Sequence, residues 1–253
     1  MVLTVATWNV NSLRARLPLV LRYLEAHRPH VLCMQETRVG AAGFPAAAFE
    51  QLGYHVQATG AGGYAGVAIA SVQPIDATIV GIDAFVEARA PGRRLLCRIG
   101  ELWVDTVYVP TRMAIGKREF LDALAEDHRA RFDGGTPDLL LGDFNLCWGV
   151  LDYASPSMIT DVEIHPERPE DLALRRATVG MIDCFRACDA EARDYSWFPM
   201  TPWALRRNYG MRLDYVFARA SLAKQLIDVV HDRDTREWPR PSDHLPVRAS
   251  FED

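Results

Sequence analysis

The chain has 253 residues, of which 49% are hydrophobic and 24% are charged, as is ordinary for a folded globular protein. This composition excludes a disordered chain, a coiled coil and a collagen-like repeat. A chain of this length buries enough apolar surface to fold without disulfides or a structural metal. The 28 basic and 33 acidic residues give a formal net charge of −5, which excludes nucleic-acid binding through overall charge but allows a local basic face.

The order of apolar runs and turn residues predicts many strands with helices between them. Helical spacing of leucine and valine over Ser12–His27 predicts the first helix, which Pro29 ends, and Lys117–Phe132 is predicted to be helical too. A glycine-rich turn is predicted at residues 60–66. Strands are predicted at Val2–Val10, Val31–Gln35, Val67–Ser71, Leu95–Ile99, Leu102–Val109, Asp138–Leu141, Arg212–Ala218, Leu226–His231 and Val247–Phe251.

Residues 146–202 break every period, which indicates either a functional loop region or short helices without a clear pattern. No repeat or linker divides the chain, so we expect a single domain over residues 1–253, of the α/β or α+β layered class. The N-terminus lacks signal-peptide features, and no stretch approaches 18 consecutive apolar residues, so no membrane contact is expected. Five cysteines without a Cys-x-x-Cys pair are interpreted as reduced thiols of a cytoplasmic protein.

Polar side chains recur at the ends of apolar segments. A carboxylate there is costly unless it is paired or bound to a metal, and strands of layered sheets commonly end at one rim. We therefore expect these side chains to converge on one pocket. Its predicted members are Asn9, Glu36, Tyr108, Asp143, Asn145, Asp214, Asp243 and His244. Hard oxygen ligands with one imidazole and no thiolate favour Mg²⁺ or Mn²⁺ over structural zinc.

Each of these residues also has a purely structural interpretation. Asp143 and Asn145 are typical caps of a turn such as the one predicted after Gly142. His244 is compatible with a hydrogen-bonded core histidine, and Asp214 with an ion pair to Arg212. Taken alone, each structural interpretation is favoured because short motifs often match by chance. Taken together, so many polar groups at strand ends have no explanation in folding.

The polar segments resemble the exonuclease III family of apurinic/apyrimidinic endonucleases, within the endonuclease/exonuclease/phosphatase superfamily. The ordered set spans nearly the whole chain, and the first stretch favours this family over more distant members of the superfamily. The matching stretches are Thr7–Arg16 (TWNVNSLRAR), Gln35–Arg38 (QETR), Tyr108–Pro110 (YVP), Gly142–Asn145 (GDFN), Arg212–Tyr215 (RLDY) and Pro241–Val247 (PSDHLPV).

The resemblance implies a four-layer α/β sandwich, in which two mixed sheets pack face to face between flanking helices, with the active site at one rim. It implies a phosphodiester hydrolase of DNA repair that cleaves on the 5′ side of an abasic site, often with 3′-to-5′ exonuclease and 3′-phosphatase activity. The implied cofactor is Mg²⁺ or Mn²⁺. The implied partner is DNA, as a duplex with an abasic site or a 3′ end, and a monomeric enzyme is expected.

The charge requirements of phosphodiester cleavage suggest which residues serve the metal and the attacking water. Glu36 is the leading metal ligand, with Asp243 on the opposite wall, and the resemblance implies a water-mediated metal contact for Asn11. Asp143 is expected to orient and deprotonate the attacking water, and Asn145 to hold that water or a phosphate oxygen. Asp143 and Asn145 are also counted among the candidate metal ligands.

The remaining polar residues are expected to act on the phosphate and the leaving oxygen. His244, oriented by Asp214, would donate a charged hydrogen bond to the phosphate, since a carboxylate partner favours the imidazolium form. Tyr108 would donate to the phosphate or stabilise the leaving oxygen. Asn9 would link the metal ligand to the groups that position the nucleophile.

Positive and aromatic side chains near the rim are candidates for DNA contacts. By resemblance, Trp197 and Met211 would form the apolar pocket for a flipped, base-free sugar; the alternative is that Trp197 and Trp203 are ordinary core aromatics. The aromatic and basic cluster of residues 203–212 would grip a distorted backbone. The candidates for phosphate contacts are Arg14, Arg16, Arg38, Arg112, Lys117 and Arg118 near the rim, with Trp203, Arg206 and Arg207 in the cluster.

Three departures from the family pattern leave the choice of substrate open, and one is the overall acidity of the chain, which is less favourable to a long duplex. Thr111 follows Tyr108 where the family usually has an amide side chain, and Trp148 follows Asn145 where smaller residues are expected, so that it would stack on a substrate or narrow the site. One alternative is therefore a phosphodiesterase or phosphatase of the same fold that acts on RNA, nucleotides or another small phosphate ester. A second is a binding module that has lost catalysis.

Overall fold

The computed structural model describes residues 2–60, 62–63, 65–111, 116–158 and 168–252. Within these residues lie twelve strands and seven α-helices. The strands are β1 (Val2–Asn9), β2 (Val31–Gln35), β3 (His55–Thr59), β4 (Val67–Ser71), β5 (Ala77–Val80), β6 (Arg94–Ile99), β7 (Leu102–Tyr108), β8 (Leu139–Asp143), β9 (Met181–Asp183), β10 (Asp214–Arg219), β11 (Leu226–His231) and β12 (Val247–Glu252). The helices are α1 (Leu13–His27), α2 (Ala46–Glu50), α3 (Ala84–Arg89), α4 (Lys117–Arg131), α5 (Pro169–Ala177), α6 (Cys184–Cys188) and α7 (Ala220–Ala223).

The strands of the described residues form two six-stranded sheets of mixed direction. The first has the order β11-β12-β1-β2-β4-β3, and the second the order β5-β6-β7-β8-β10-β9. One neighbouring pair in each sheet is parallel, β1 with β2 and β7 with β8, and the other pairs are antiparallel. Each parallel pair points two carboxyl ends toward the same edge of its sheet, which places the polar residues after those strands side by side.

Successive side chains of a strand point to opposite faces of its sheet. In both sheets, buried apolar side chains are packed on each face. In β1, Val5 faces the core between the two sheets, whereas Trp8 faces the core under α1. In β8, Leu141 faces the core between the sheets, whereas Leu140 packs with residues of α4 and α5. The order of layers is helices, sheet, sheet and helices, which confirms the predicted four-layer sandwich.

The predicted elements occur, with one difference that affects the site. The strand predicted at Asp138–Leu141 does not stop before Gly142 but runs as β8 to Asp143. A Cβ atom at Gly142 would lie 2.0 Å from the carbonyl oxygen of Val107, so only glycine permits this close approach of β8 to β7. The strand therefore continues and pairs Asp143 with Tyr108.

The irregular region after Leu146 contains short elements without a clear sequence period, namely α5, β9 and α6. All five cysteines are free, as predicted. No helix among the described residues is long and apolar enough to cross a membrane.

Candidate active site

The second sheet places three of the predicted site residues on neighbouring strands. Tyr108 ends β7, Asp143 ends β8 and Asp214 begins β10, and the strand register pairs Asp143 with both of the others. The first sheet brings Asn9 at the end of β1 and Glu36 directly after β2. The two sheets thus meet at one rim, as the polar strand ends predicted.

Asn9 connects the two sheets at this rim. Its Nδ2 donates to Glu36 Oε1 at 3.0 Å and to Asp143 Oδ2 at 2.8 Å. The Tyr108 hydroxyl donates to the same Glu36 oxygen at 2.7 Å, and the Asn11 amide donates to Asn9 Oδ1 at 3.0 Å. With both amide atoms engaged, Asn9 fixes the separation of the two carboxylates.

His244 lies between two buried carboxylates. Its Nδ1 is 2.7 Å from Asp214 Oδ2, and its Nε2 is 3.9 Å from Asp143 Oδ2. All three residues are buried. Each also offers one ligand atom within 4.8 Å of the others, in the manner of a metal site.

A further wall is formed by Asp243 and Trp197. Asn11 Nδ2 donates to Asp243 Oδ1 at 2.8 Å, and Trp197 Nε1 donates to Asp243 Oδ2 at 3.0 Å. The backbone of Trp197 is paired with Met211, and both side chains pack in a small apolar cluster with Tyr153. This arrangement places the predicted sugar pocket next to the second acidic residue of the predicted metal site.

Several residues of the rim have strained backbones. Glu36, Asn145 and Asn11 have φ angles of 49°, 50° and 44°, in the left-handed region that non-glycine residues rarely adopt. Asn145 is held there by hydrogen bonds, since its amide donates to Asp143 Oδ1 at 2.8 Å and its Nδ2 to the Val109 carbonyl at 3.0 Å. Such strain is concentrated at functional sites, where it aims side chains.

The electrostatics divide the carboxylates into two kinds. Burial and the nearby Asp214 raise the pKa of Asp143 to about 7, against the opposing charge of His244. Burial would raise the pKa of Glu36 too, but hydrogen bonds from Asn9, Arg38 and Tyr108 outweigh it, so the pKa of Glu36 lies below its ordinary value. Glu36 is therefore a permanent anion, whereas Asp143 is able to take up a proton near neutral pH.

His244 and Tyr108 both keep their protons at neutral pH. Burial lowers the pKa of His244, but the Asp214 and Asp143 carboxylates outweigh burial and raise this pKa to about 10. Burial and the Glu36 carboxylate raise the pKa of Tyr108 above its ordinary value. Both side chains therefore carry a proton that they are able to donate in a hydrogen bond.

A divalent cation fits this arrangement. Asp214 Oδ1 is buried and has no hydrogen-bond partner among the described residues, and two carboxylates lie close together in the same cluster. Buried carboxylates in this position are stabilised by a cation of opposite charge. Carboxylate and amide oxygens of the described residues line the rim, and no thiolate lies among them, which suits a hard cation.

A buried polar layer beneath the rim was not singled out from the sequence. Gln35 Nε2 donates to the hydroxyls of Thr7 and Thr106, both at 2.9 Å, and so joins β1, β2 and β7 across the two sheets. Thr7 and Thr106 lie two residues before Asn9 and Tyr108, on the same face of each strand. The sequence feature that could have indicated this layer is Gln35, a polar residue at the end of the apolar run of β2.

Several candidates for DNA contacts lie on the surface. Arg14, Arg206 and Arg207 are exposed, and Trp203 is 39% exposed, so the alternative of a buried core residue is wrong for Trp203. Its ring lies 5.3 Å from that of Tyr209. Arg112 falls outside the described residues.

Four other basic candidates have partners within the protein. Arg38 Nη2 lies 2.6 Å from Glu36 Oε2, and Arg16 donates to the carbonyl oxygen of Asn11. Lys117 donates to the carbonyl oxygen of Asn145, and Arg118 pairs with Glu119 on the surface. The first three support the loops and carboxylate of the rim, a role that the sequence did not indicate.

The interpretation of Asp214 as the ion-pair partner of Arg212 is wrong. Arg212 does not pair with Asp214, because its guanidinium is bound to Asp152 at 2.8 Å and to Asp183 at 2.7 Å. Trp148 packs 5.8 Å from the ring of Phe217 in the outer core of the second sheet. Its backbone amide donates to Asp152 Oδ2 and to the Tyr215 hydroxyl, both at 3.1 Å, and a contact of Trp148 with a substrate stays a prediction.

The family model of the endonuclease/exonuclease/phosphatase family matches residues 6–244. The chain belongs to this family. It is 29% identical to exodeoxyribonuclease III of Haemophilus influenzae, over 97% of this chain and 98% of that protein. The predicted resemblance and the class of phosphodiester hydrolase are confirmed.

Solved structures agree with the family assignment. An AP endonuclease from Archaeoglobus fulgidus superposes with a TM-score of 0.90 at 31% identity, covering 99% of this chain and 100% of that chain. The 3′ phosphatase NExo from Neisseria, bound to product DNA hairpin, superposes with a TM-score of 0.88 at 30% identity and the same coverage. Divalent-metal dependence is general in the family, and the carboxylates gathered at this rim, Asp143 among them, offer a candidate site.

Proposed function

We propose that this enzyme is a metal-dependent DNA-repair phosphodiesterase that cleaves on the 5′ side of abasic sites, with 3′-to-5′ exonuclease and 3′-phosphatase activities. The observation that carries this proposal is the convergence of Asp143, Asp214 and His244 from distant segments, joined to Glu36 through Asn9. The similarity to exodeoxyribonuclease III and to an AP endonuclease supports DNA as the substrate.

Glu36, Asp243, Asp143 and Asn145 would hold the metal, which we propose to be Mg²⁺ or Mn²⁺, with Asn11 acting through Asp243 or through water. The ion would supply positive charge to the phosphate and to the attacking water. Hydrogen bonds to Glu36 from Asn9 and Tyr108 keep this carboxylate ionised and oriented.

Asp143 is proposed to accept the proton of the attacking water. Its pKa of about 7 lies near the pH at which a general base is most effective. Oδ2 accepts hydrogen bonds from Asn9 at 2.8 Å and from Asn145 at 3.3 Å, which fix the plane of the carboxylate. Asn145 thereby orients the base and keeps an oxygen available for water or phosphate.

His244 and Tyr108 are proposed to stabilise the charge that develops on the phosphate and on the leaving oxygen. Asp214 holds the protonated His244 through Nδ1, which leaves Nε2–H to donate to a non-bridging oxygen. The Tyr108 hydroxyl donates to Glu36 at 2.7 Å, so it lies at the same rim, where it would donate to the leaving oxygen.

DNA would be held by exposed groups around this rim. Arg14, Arg206 and Arg207 would contact phosphates, together with Arg112. Trp203 would pack against the DNA strand, and Trp197 with Met211 would receive the base-free sugar.

One domain over residues 1–253 is supported by a single family model over residues 6–244. A monomer and a cytoplasmic location stay predictions from the sequence.

Cleavage of an end-labelled duplex with one abasic analogue tests the proposal. With Mg²⁺ or Mn²⁺ we expect a first product cut on the 5′ side of the analogue, followed by shorter products as its 3′ end is trimmed, and no product with a chelator. Asp214→Asn should abolish cleavage, whereas Asp122→Asn, which removes a surface carboxylate paired with Arg176, should not.

A substrate panel distinguishes the alternative activity. Intact duplex, single strands, a 3′-phosphate end, RNA and mononucleotides would be compared under the same conditions. Metal-dependent turnover of RNA or mononucleotides alone would contradict the assignment to abasic DNA, and no turnover of any phosphate ester would contradict an enzyme.

A further inference from the structure

Arg93 is a buried arginine that contacts Tyr108 in three ways. It lies directly before β6 and is 4% exposed. Its guanidinium carbon is 4.4 Å from the centroid of the Tyr108 ring, and Nη1 donates to the Tyr108 carbonyl oxygen at 3.2 Å. The Tyr108 amide in turn donates to the Arg93 carbonyl oxygen at 2.8 Å. Ring, carbonyl and amide of Tyr108 are therefore all engaged by one residue.

The positive charge of Arg93 is only loosely compensated. Its Nε is buried without a hydrogen-bond partner among the described residues. Burial lowers the pKa of this guanidinium, and the side chains of Tyr108, Glu36 and Asp143 oppose that effect. Stability alone would be better served by an apolar residue of similar volume, since an incompletely paired charge is costly inside a protein.

The neighbouring Arg94 shows what a purely structural arginine looks like in this strand. It is 1% exposed and points to the opposite face of the second sheet. Its guanidinium donates to Asp105 at 2.9 Å and to the Gly81 carbonyl at 2.8 Å, and lies 3.1 Å from Asp127. Each nitrogen of the Arg94 guanidinium therefore has a partner in a buried cluster. The Arg93 guanidinium has no such set of partners among the described residues.

We propose that Arg93 is a positioning residue that fixes the Tyr108 ring and so aims its hydroxyl into the active site. The inference rests on the proposed phosphodiesterase function. Stacking of a planar cation on the ring favours one ring orientation. A ring that rotated away would lose the 2.7 Å hydrogen bond to Glu36 and the alignment of the hydroxyl.

A double-mutant cycle between Arg93 and Tyr108 tests the inference. Arg93→Met removes the planar cation at similar length, Tyr108→Phe removes the hydroxyl but keeps the ring, and Arg94→Met is the matched control. Single-turnover rates of abasic-site cleavage and thermal unfolding would be measured for each protein.

We expect Arg93→Met to lower the single-turnover rate by about 10-fold to 100-fold, since small misalignments of a catalytic group have effects of this size. In the Tyr108→Phe background the same change should cost less than about threefold, because interacting residues are not additive. Arg94→Met should lower the unfolding temperature and leave the rate within about threefold wherever the protein is folded. Arg93→Lys, which keeps the charge but not the plane, should lose less than Arg93→Met.

Equal losses from Arg93→Met with and without the Tyr108 hydroxyl would overturn the inference, as would an unchanged rate. If Arg93→Met does not fold, Arg93→Lys takes its place in the cycle and decides by the same criterion. A wild-type protein without metal-dependent cleavage would overturn the proposed function as well. An active wild type with additive losses would overturn the positioning role alone.

Discussion

Among the residues that the structure describes, two buried aspartate–histidine pairs have the same contact distance and different surroundings. His244 Nδ1 lies 2.7 Å from Asp214 at the rim, and His128 Nε2 lies 2.7 Å from Asp105 beside the second sheet. We call His128 and Asp105 the inner pair. The Arg94 guanidinium also donates to Asp105 and so supplies a positive charge beside it. The rim pair has a second carboxylate, Asp143, in the place of a second cation.

The different surroundings give the carboxylates of the two pairs different charge states. Burial would raise the pKa of Asp105, but Arg94 and His128 outweigh it and hold this pKa below its ordinary value. Asp143 has no guanidinium partner of that kind among the described residues, and its pKa is raised to about 7. The inner cluster is internally neutralised, whereas the rim cluster keeps unsatisfied negative charge that a cation and a proton are able to use.

The largest expected effect is on catalysis at the rim. Asp143→Asn removes the proposed base and should lower abasic-site cleavage by about 10³-fold, within the range for general bases. It should not lower the unfolding temperature, because it also removes repulsion between two carboxylates. Steady-state cleavage and thermal unfolding would be measured beside Asp122→Asn. Near-wild-type turnover would contradict the role of Asp143.

The corresponding change in the inner cluster should affect stability instead. Asp105→Asn leaves Arg94 without its main partner and should lower the free energy of unfolding by about 3 kcal/mol, as is usual for a broken buried ion pair. Cleavage by the folded protein should stay within about threefold of wild type. Urea denaturation and cleavage assays measure the two quantities. A stable but inactive Asp105→Asn protein would contradict the division between the clusters.

The same cluster predicts a pH dependence. Because the pKa of Asp105 is depressed on folding, its contribution to stability is complete above the unfolded value of about 3.9 and is lost as the pH falls through the folded value. The stability difference between wild type and Asp105→Asn should therefore be constant from pH 7 to about pH 5 and shrink below about pH 4. Urea denaturation across this range measures it. A constant difference at all pH values would show that the carboxylate charge is not responsible.

The smallest expected effect concerns exposed cations outside both clusters. Arg207→Ala should reduce the slope of log affinity against log salt by about one, the amount expected for one lost phosphate contact. Arg129→Ala is a matched control, because this exposed residue lies twelve positions, or about 18 Å, along α4 from Lys117 at the rim. Binding to a duplex in a metal chelator, over a range of salt, measures the slopes. Equal slopes for both variants would contradict a DNA contact at Arg207.

The sequence argument that a carboxylate in an apolar strand needs a partner or a metal selected the rim residues, but it applies equally to Asp105, which has another role. Asp105 lies within the apolar run of β7, as Asp143 lies at the end of β8, and a carboxylate in such a run only indicates that a partner exists. The partner of Asp105 is His128, and that of Asp214 is His244, 23 and 30 residues away in sequence. The sequence does not specify which pairs form, because that depends on the packing of helices and sheets.

The amino-acid sequence by itself determined the positions of most strands and long helices, the polar strand ends, the family and the class of chemistry. It did so because burial imposes a period on each element and because an ordered set of motifs rarely occurs by chance. Tertiary structure alone decided that Arg38 binds Glu36 and that Arg93 and Arg94 face opposite sides of one sheet. Hydrogen bonds and ion pairs are short-range contacts between side chains, so only the packed arrangement of the two sheets fixes them.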